Sequence, residues 1–170
     1  MSNPIKKLAS QTVVYGLSSI VGRFLNYLLT PLWTGIFSTE QFGIITEMYA
    51  YVAFLVVFLT YGMETAYFKF SNRKKEEDPS IFSTIMISVG STSLLFIILS
   101  SLFAQPLADW LLYPDHKEYI TWFAIIVGVD AISSLPLAKL RQKNKSLKFA
   151  VVNLVNVGVN IGLNWFFLVY

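Results

Sequence analysis

Apolar residues in this sequence come in long blocks, not in the two-residue alternation of a half-buried strand or the 8-to-12-residue helices of a soluble core. Five blocks cover roughly residues 10–36, 42–66, 81–104, 119–138 and 149–170. A hydrocarbon core about 30 Å thick takes about 20 helical residues to cross, so each block is of spanning length. The links between them, "FSTEQ", "KFSNRKKEEDP", "QPLADWLLYPDHKE" and "KLRQKNKSLK", are polar or carry helix breakers. In lipid every backbone polar group must be satisfied within its own segment, which leaves the helix as the element. The pattern predicts an all-α, polytopic membrane helix bundle of five transmembrane helices.

Composition agrees with this. Of 170 residues, 55% are hydrophobic and 14% charged, where soluble domains carry about a quarter charged residues. The first block is far longer than the apolar core of a signal peptide, and no small-residue cleavage site precedes the "FSTEQFG" link, so it is expected to be retained. With no cysteine, there is neither a disulfide framework nor a thiolate metal site.

Charge sets the expected orientation. Lys6, Lys7, Lys69, Arg73, Lys74, Lys75, Lys139, Arg141, Lys143, Lys145 and Lys148 would fall on one side of a five-span protein, and Lys117 alone on the other. The positive-inside rule predicts a cytoplasmic N-terminus. The net charge of +3 is accounted for by these loops, and no nucleic-acid partner is expected. Trp33, Trp110, Trp122 and Trp165 all come out near the external boundary, where an aromatic belt would sit.

Polar residues inside the blocks are arranged, not scattered. At 100° per residue Gln11, Tyr15, Ser18, Gly22 and Asn26 share about 80° of arc, with Ser19, Arg23 and Thr30 on its flank. Pro31 cannot donate to the carbonyl of Tyr27 and predicts a kink in the outer half of this helix. In the last block Asn153, Asn156, Asn160 and Asn164 form a second stripe. That stripe suits either hydrogen bonds between helices or a polar lumen. Gly158 and Gly162 lie opposite as a small-xxx-small pair expected to pack closely on another helix, and Val157 is expected to face lipid.

Depth separates the charges within the blocks. Glu47 lies only about 7 Å from the outer edge and Glu64 near the inner one, so both can reach water, whereas Arg23 and Asp130 lie about 15 Å deep. A charge near the midplane costs at least about 2.5 to 3.5 kcal/mol. Two readings stay open for this pair, a structural ion pair and a cargo or coupling-ion site. Arg23, Asn26, Asp130, Asn156 and Asn160 are the candidate substrate-binding residues. There is no H-E-x-x-H, G-x-S-x-G or P-loop, so an enzyme is not expected, nor a catalytic residue, metal or cofactor. His116 sits between Asp115 and Lys117 in an external link and reads as solvated.

The run "LLTPLWTGIFSTEQFGIITEMYAYVAFLVVFLTYGMETAYFKFSN" resembles the opening of bacterial oligosaccharide flippases in the multidrug/oligosaccharidyl-lipid/polysaccharide export superfamily. There a first helix ends in a turn of the type "S-T/P-E-x-[FY]-G" and a second in "G-[LM]-x-x-A-x-x-[KR]-F", here Gly62, Met63, Ala66, Lys69 and Phe70. "FAQPLADWLLYPD" and "LRQKNKSLKFAVVNLVNVGVNIGLN" resemble the family's segment after the third helix and its basic loop with fifth helix. The resemblance implies a two-lobed transporter of about 12 to 14 helices that alternates its opening around a central cavity. This chain would supply the N-terminal part of the first lobe. The implied cargo is a polyprenyl-diphosphate-linked oligosaccharide, moved across the bacterial cytoplasmic membrane alongside glycan polymerase or glycosyltransferases of the same pathway. Arg23 would offer its planar donor fork to the diphosphate while the prenyl tail stays in membrane lipid. Two alternatives remain: a multidrug and toxin extrusion type antiporter using Asp130 and Glu47, and a membrane scaffold that transports nothing.

Overall fold

The computed structural model describes the backbone of residues 4–71 and 79–169, and within these all side chains but those of residues 4–11, 18, 19, 26, 79 and 169. Its helices are α1 Pro4–Tyr27, α2 Thr30–Ile36, α3 Thr39–Thr60, α4 Met63–Ser71, α5 Pro79–Leu102, α6 Ala104–Trp110, α7 Lys117–Gln142 and α8 Ser146–Val169. Among the described residues there is no strand. The protein is a polytopic, all-helical membrane protein. Four of the described helices, α3, α5, α7 and α8, are long and apolar enough to cross a bilayer. The 24-residue α1 is as long as α5 and α8 but is not one of these four.

Three features of the helices depart from five uninterrupted spans. The first span breaks at Leu28 and Leu29, and Pro31 stands in the first turn of α2; the missing donor predicted the kink. The second span also breaks, at Tyr61 (φ 31°) and Gly62 (φ 74°). Gly62 takes the left-handed conformation that ends helices readily. Third, the link after α5 holds α6, because Ala104 and Ala108 bury themselves with Ile120 of α7. The short turn into α3 is a reciprocal capping box: Ser38 N–H donates to Gln41 Oε1 (3.1 Å), and Gln41 N–H donates to Ser38 Oγ (3.3 Å).

The chain divides into two units, residues 46–138 and the remainder. In the first of these, α5 and α7 run antiparallel. Tyr67, Ile85, Val89, Ala131, Leu135 and Ala138 form its main buried cluster. The ring of Tyr67 meets that of Phe82 edge to face at 5.7 Å. Ala124, Gly128, Ala131 and Ala138 lie on the buried face of α7. Where lipid removes any hydrophobic drive between helices, such small residues permit the close approach that dispersion needs.

In the other unit α1 packs on α8. Tyr15 meets Phe149 edge to face at 5.2 Å. Gly22 faces Val157, and further on Trp33 Nε1 donates to Asn164 Oδ1 at 2.9 Å. These contacts ascend together along both helices, so α1 and α8 run parallel. That is the direction required of the first and fifth of five successive crossings.

Candidate functional site

Of the predicted polar stripe of α1, Tyr15 and Gly22 are described and lie on its contact face with α8, while the side chains of Gln11, Ser18 and Asn26, and of Ser19 on its flank, lie outside the described residues. Tyr15 and Gly22 point at α8, and a Cβ placed on Gly22 would stand 3.3 Å from Val157 Cγ2. Val157 thus packs on α1 and does not face lipid; periodicity locates a polar arc but not which neighbouring arc a partner covers. The contact face of α8 is Phe149, Asn153, Val157, Ile161 and Asn164, all buried or half-buried. The asparagine stripe lies along one margin of it.

One of the asparagines, Asn164, serves as glue on that face. Asn153 is half-buried, and Asn164 accepts from Trp33 while its own amide donates to the Asn160 carbonyl (2.9 Å) and to Asn160 Oδ1 (3.2 Å). Asn156 and Asn160 are exposed. Arg23 is exposed as well, one residue and therefore 100° beyond Gly22.

Handedness decides where these groups point. Seen along two parallel right-handed helices that meet through Gly22 and Val157, a step forward from Gly22 and a step backward from Val157 turn toward the same side of the seam. Arg23 therefore shares a flank with Asn156 and Asn160, within about one helical turn in depth. Residue 26 falls on that flank by register, though the side chain of Asn26 lies outside the described residues. What results is an open cationic and amide surface: a planar guanidinium with five donors beside carboxamides that both donate and accept. Asp130 is exposed on α7 and belongs to the other unit.

Gly158 and Gly162 do not pack as expected within the described residues, since a Cβ on either meets nothing within 4 Å. The close glycine contacts are elsewhere, at Gly22 and at Gly128, where an added Cβ would stand 2.7 Å from Ile97 Cδ1.

A second polar centre was not foreseen. Glu47 of α3 accepts from Tyr51 Oη at 2.8 Å through Oε1 and from Tyr113 Oη at 2.7 Å through Oε2. Tyr113 follows α6, outside the spans. Its hydrogen bond to Glu47, with some desolvation and the nearby negative charge, pushes its phenol up to about 12. The i, i+4 spacing of Glu47 and Tyr51 was visible in the sequence, but nothing there pointed to Tyr113, sixty-six residues away. Nearby His116 is not merely solvated: its ring stacks on Tyr119 at 4.5 Å and Nδ1 lies 3.0 Å from Glu118 Oε1. Among the described residues no group of three or more metal-ligating side chains comes together.

No curated protein and no solved structure matches the chain. A family profile, that of the polysaccharide biosynthesis proteins, matches it over residues 8–169, from the first turns of α1 to the last residue of α8. A multi-pass helical protein with a parallel α1 and α8 and a basic turn between α7 and α8, it belongs to the polysaccharide biosynthesis protein family.

Proposed function

We propose that the protein moves a lipid-linked oligosaccharide or polysaccharide precursor across the bacterial cytoplasmic membrane by alternating access. In this reading the chain forms the N-terminal part of the first lobe, with its N-terminus in the cytoplasm. Family members are typically transporters or flippases, and a role in polysaccharide synthesis asks for lipid-linked sugar as cargo. The observation that carries the reading is the shared flank of Arg23, Asn156 and Asn160. A guanidinium pairs with phosphate oxygens through parallel hydrogen bonds, and amides pair with sugar hydroxyls, so one surface suits both ends of a diphosphate-linked saccharide. Asn26 joins it by register; Asp130, exposed on α7, is a separate candidate for a coupling proton.

Export of the cognate glycan in cells that depend on this protein tests the reading. Asn156→Leu and Asn160→Leu should cut export with protein abundance retained. Val155→Leu, an exposed position on the face of α8 turned from α1, should export normally. Equal export from all three would remove the asparagines from the cargo surface. Resistance to cationic drugs that follows Asp130 while glycan export is untouched would favour a drug antiporter instead.

A further inference from the structure

The surface formed by Arg23, Asn156 and Asn160 does not end at Asn156. Lys148, Val152, Asn156, Asn160 and Asn164 follow one another along α8 at steps of four, and the members of such a row are neighbours that wind only about 40° round the helix per step. The row is exposed from Lys148 to Asn160 and reaches the seam at Asn164, which accepts from Trp33. It therefore leads from a charged foot, past one valine, to the amides beside Arg23. Lys148 lies about 12 Å along the axis from Asn156.

The foot is a fixed turn as well as a charged one. Asn144 takes a left-handed φ of 53°, its N–H donates to the Arg141 carbonyl at 3.0 Å, and the Lys145 N–H donates to the Leu140 carbonyl at 2.9 Å. The Lys145 carbonyl accepts from the Phe149 N–H at 3.0 Å, which sets Lys145 one turn before Lys148 on α8. Phe149 is 7% exposed, and the Arg141 guanidinium lies 5.7 Å from the centre of its ring, a cation–π contact that holds a further positive charge at this turn. Lys145 and Lys148 are exposed. Residues 139–170 hold five Lys and Arg and no Asp or Glu, so the segment has no carboxylate of its own to offer them. Topology asks only that lysines stand at this end of a span; it does not ask that they open the same row as the amides.

We propose that Lys145 and Lys148 form a second anion site, which receives the diphosphate of a lipid-linked saccharide at the foot of the row that leads to Arg23. This rests on the cargo reading given under the proposed function. Ammonium groups suit a receiving site: as point charges on flexible stems they hold phosphate in many orientations, whereas the guanidinium fork deeper in demands one.

Binding of radiolabelled farnesyl diphosphate, a short prenyl diphosphate, to the full chain in phosphatidylcholine nanodiscs tests this, with uptake by empty discs subtracted. Arg23→Leu should retain saturable binding at the foot. Adding Lys145→Gln and Lys148→Gln to it should raise the Kd of that binding roughly five- to thirtyfold, the loss expected of two phosphate-facing lysines, and Lys145→Arg with Lys148→Arg in the same background should not. In the wild-type background the two Gln changes should remove one of two binding components, so the result does not depend on Arg23→Leu accumulating. Lys69→Gln with Lys117→Gln, which removes the same charge from α4 and α7, should bind as wild type does. Complete loss of binding in Arg23→Leu alone, or no further loss on adding the two Gln changes, would overturn the second site and leave the Arg23 surface standing. No saturable binding by the wild type would remove the cargo reading and the second site with it. Equal weakening by the Lys69 and Lys117 pair would reduce the effect to net charge, and displacement of the probe by phosphatidylglycerol as readily as by unlabelled farnesyl diphosphate would make the foot a general lipid-phosphate surface; either overturns the assignment.

Discussion

Gly22 and Gly128 are both buried glycines at helix contacts, yet the seams around them are built differently. Along α5 and α7 the contact is made by Val89, Ser93, Gly128, Ala131, Leu135 and Ala138, nearly all apolar and most of them small. Where α1 and α2 meet α8 it includes a tyrosine on a phenylalanine, an indole on an asparagine and a glycine on a valine, with polar groups left open on one flank. Small-residue packing stabilises a bundle in lipid without polar atoms. Polar residues at the other seam are thus more than stability requires, and their concentration on one flank is what points to a cargo.

If the two seams differ in this way, steric change should matter most at α5 and α7. Gly128→Val is expected to destabilise by about 1 to 3 kcal/mol through overpacking, because Ile97 must move for the first added carbon alone. Gly158→Val, with open space around it, should stay within about 0.5 kcal/mol. Thermal unfolding in nanodiscs compares them, and equal losses would erase the distinction. At the other seam, Asn164→Leu and Trp33→Phe should each cost about 0.5 to 1.5 kcal/mol, with a double mutant less destabilised than the sum because both remove one hydrogen bond. Strict additivity would mean the bond contributes nothing. Gly22→Ala should be milder still, below about 1 kcal/mol, since Val157 has only a few tenths of an ångström to yield.

The smallest effect is a titration. Tyr113 is neutral while it donates to Glu47, and its folded value of about 12 lies above the ordinary 10.0. Its contribution is therefore complete below pH 10 and is lost as pH rises through about 12. Tyrosinate absorbance should show a late-ionising component, and Glu47→Gln should bring it earlier. A wild-type curve unchanged by the substitution would contradict the hydrogen bond from Tyr113 to Glu47.

Much of the fold was legible because lipid imposes simple rules. Unbroken apolar blocks gave the spans, and Pro31 gave the break before α2, since a missing donor is a local fact. The break at Tyr61 and Gly62 was not legible: glycine is ordinary in membrane helices, and only its φ of 74° marks it as an end. Helix α6 hid in "AQPLADW", whose two small alanines acquire meaning only against Ile120. At the candidate site, the stripes of α1 and α8 could be projected from sequence. That Arg23 shares a flank with Asn156 and Asn160 could not, because that depends on the parallel direction and on which residues meet.

The central claim is that Arg23 serves cargo more than architecture, and glycan export set against protein abundance tests it most directly, in Arg23→Lys, Arg23→Leu, Asp130→Leu and the double Leu variant. A diphosphate held by the guanidinium fork predicts that Arg23→Lys loses export by about tenfold or more at normal abundance, because a point charge cannot replace two parallel hydrogen bonds. The double variant should then be present and inactive. Export restored in the double variant, with each single variant poorly accumulated, would show a structural ion pair and would contradict the account.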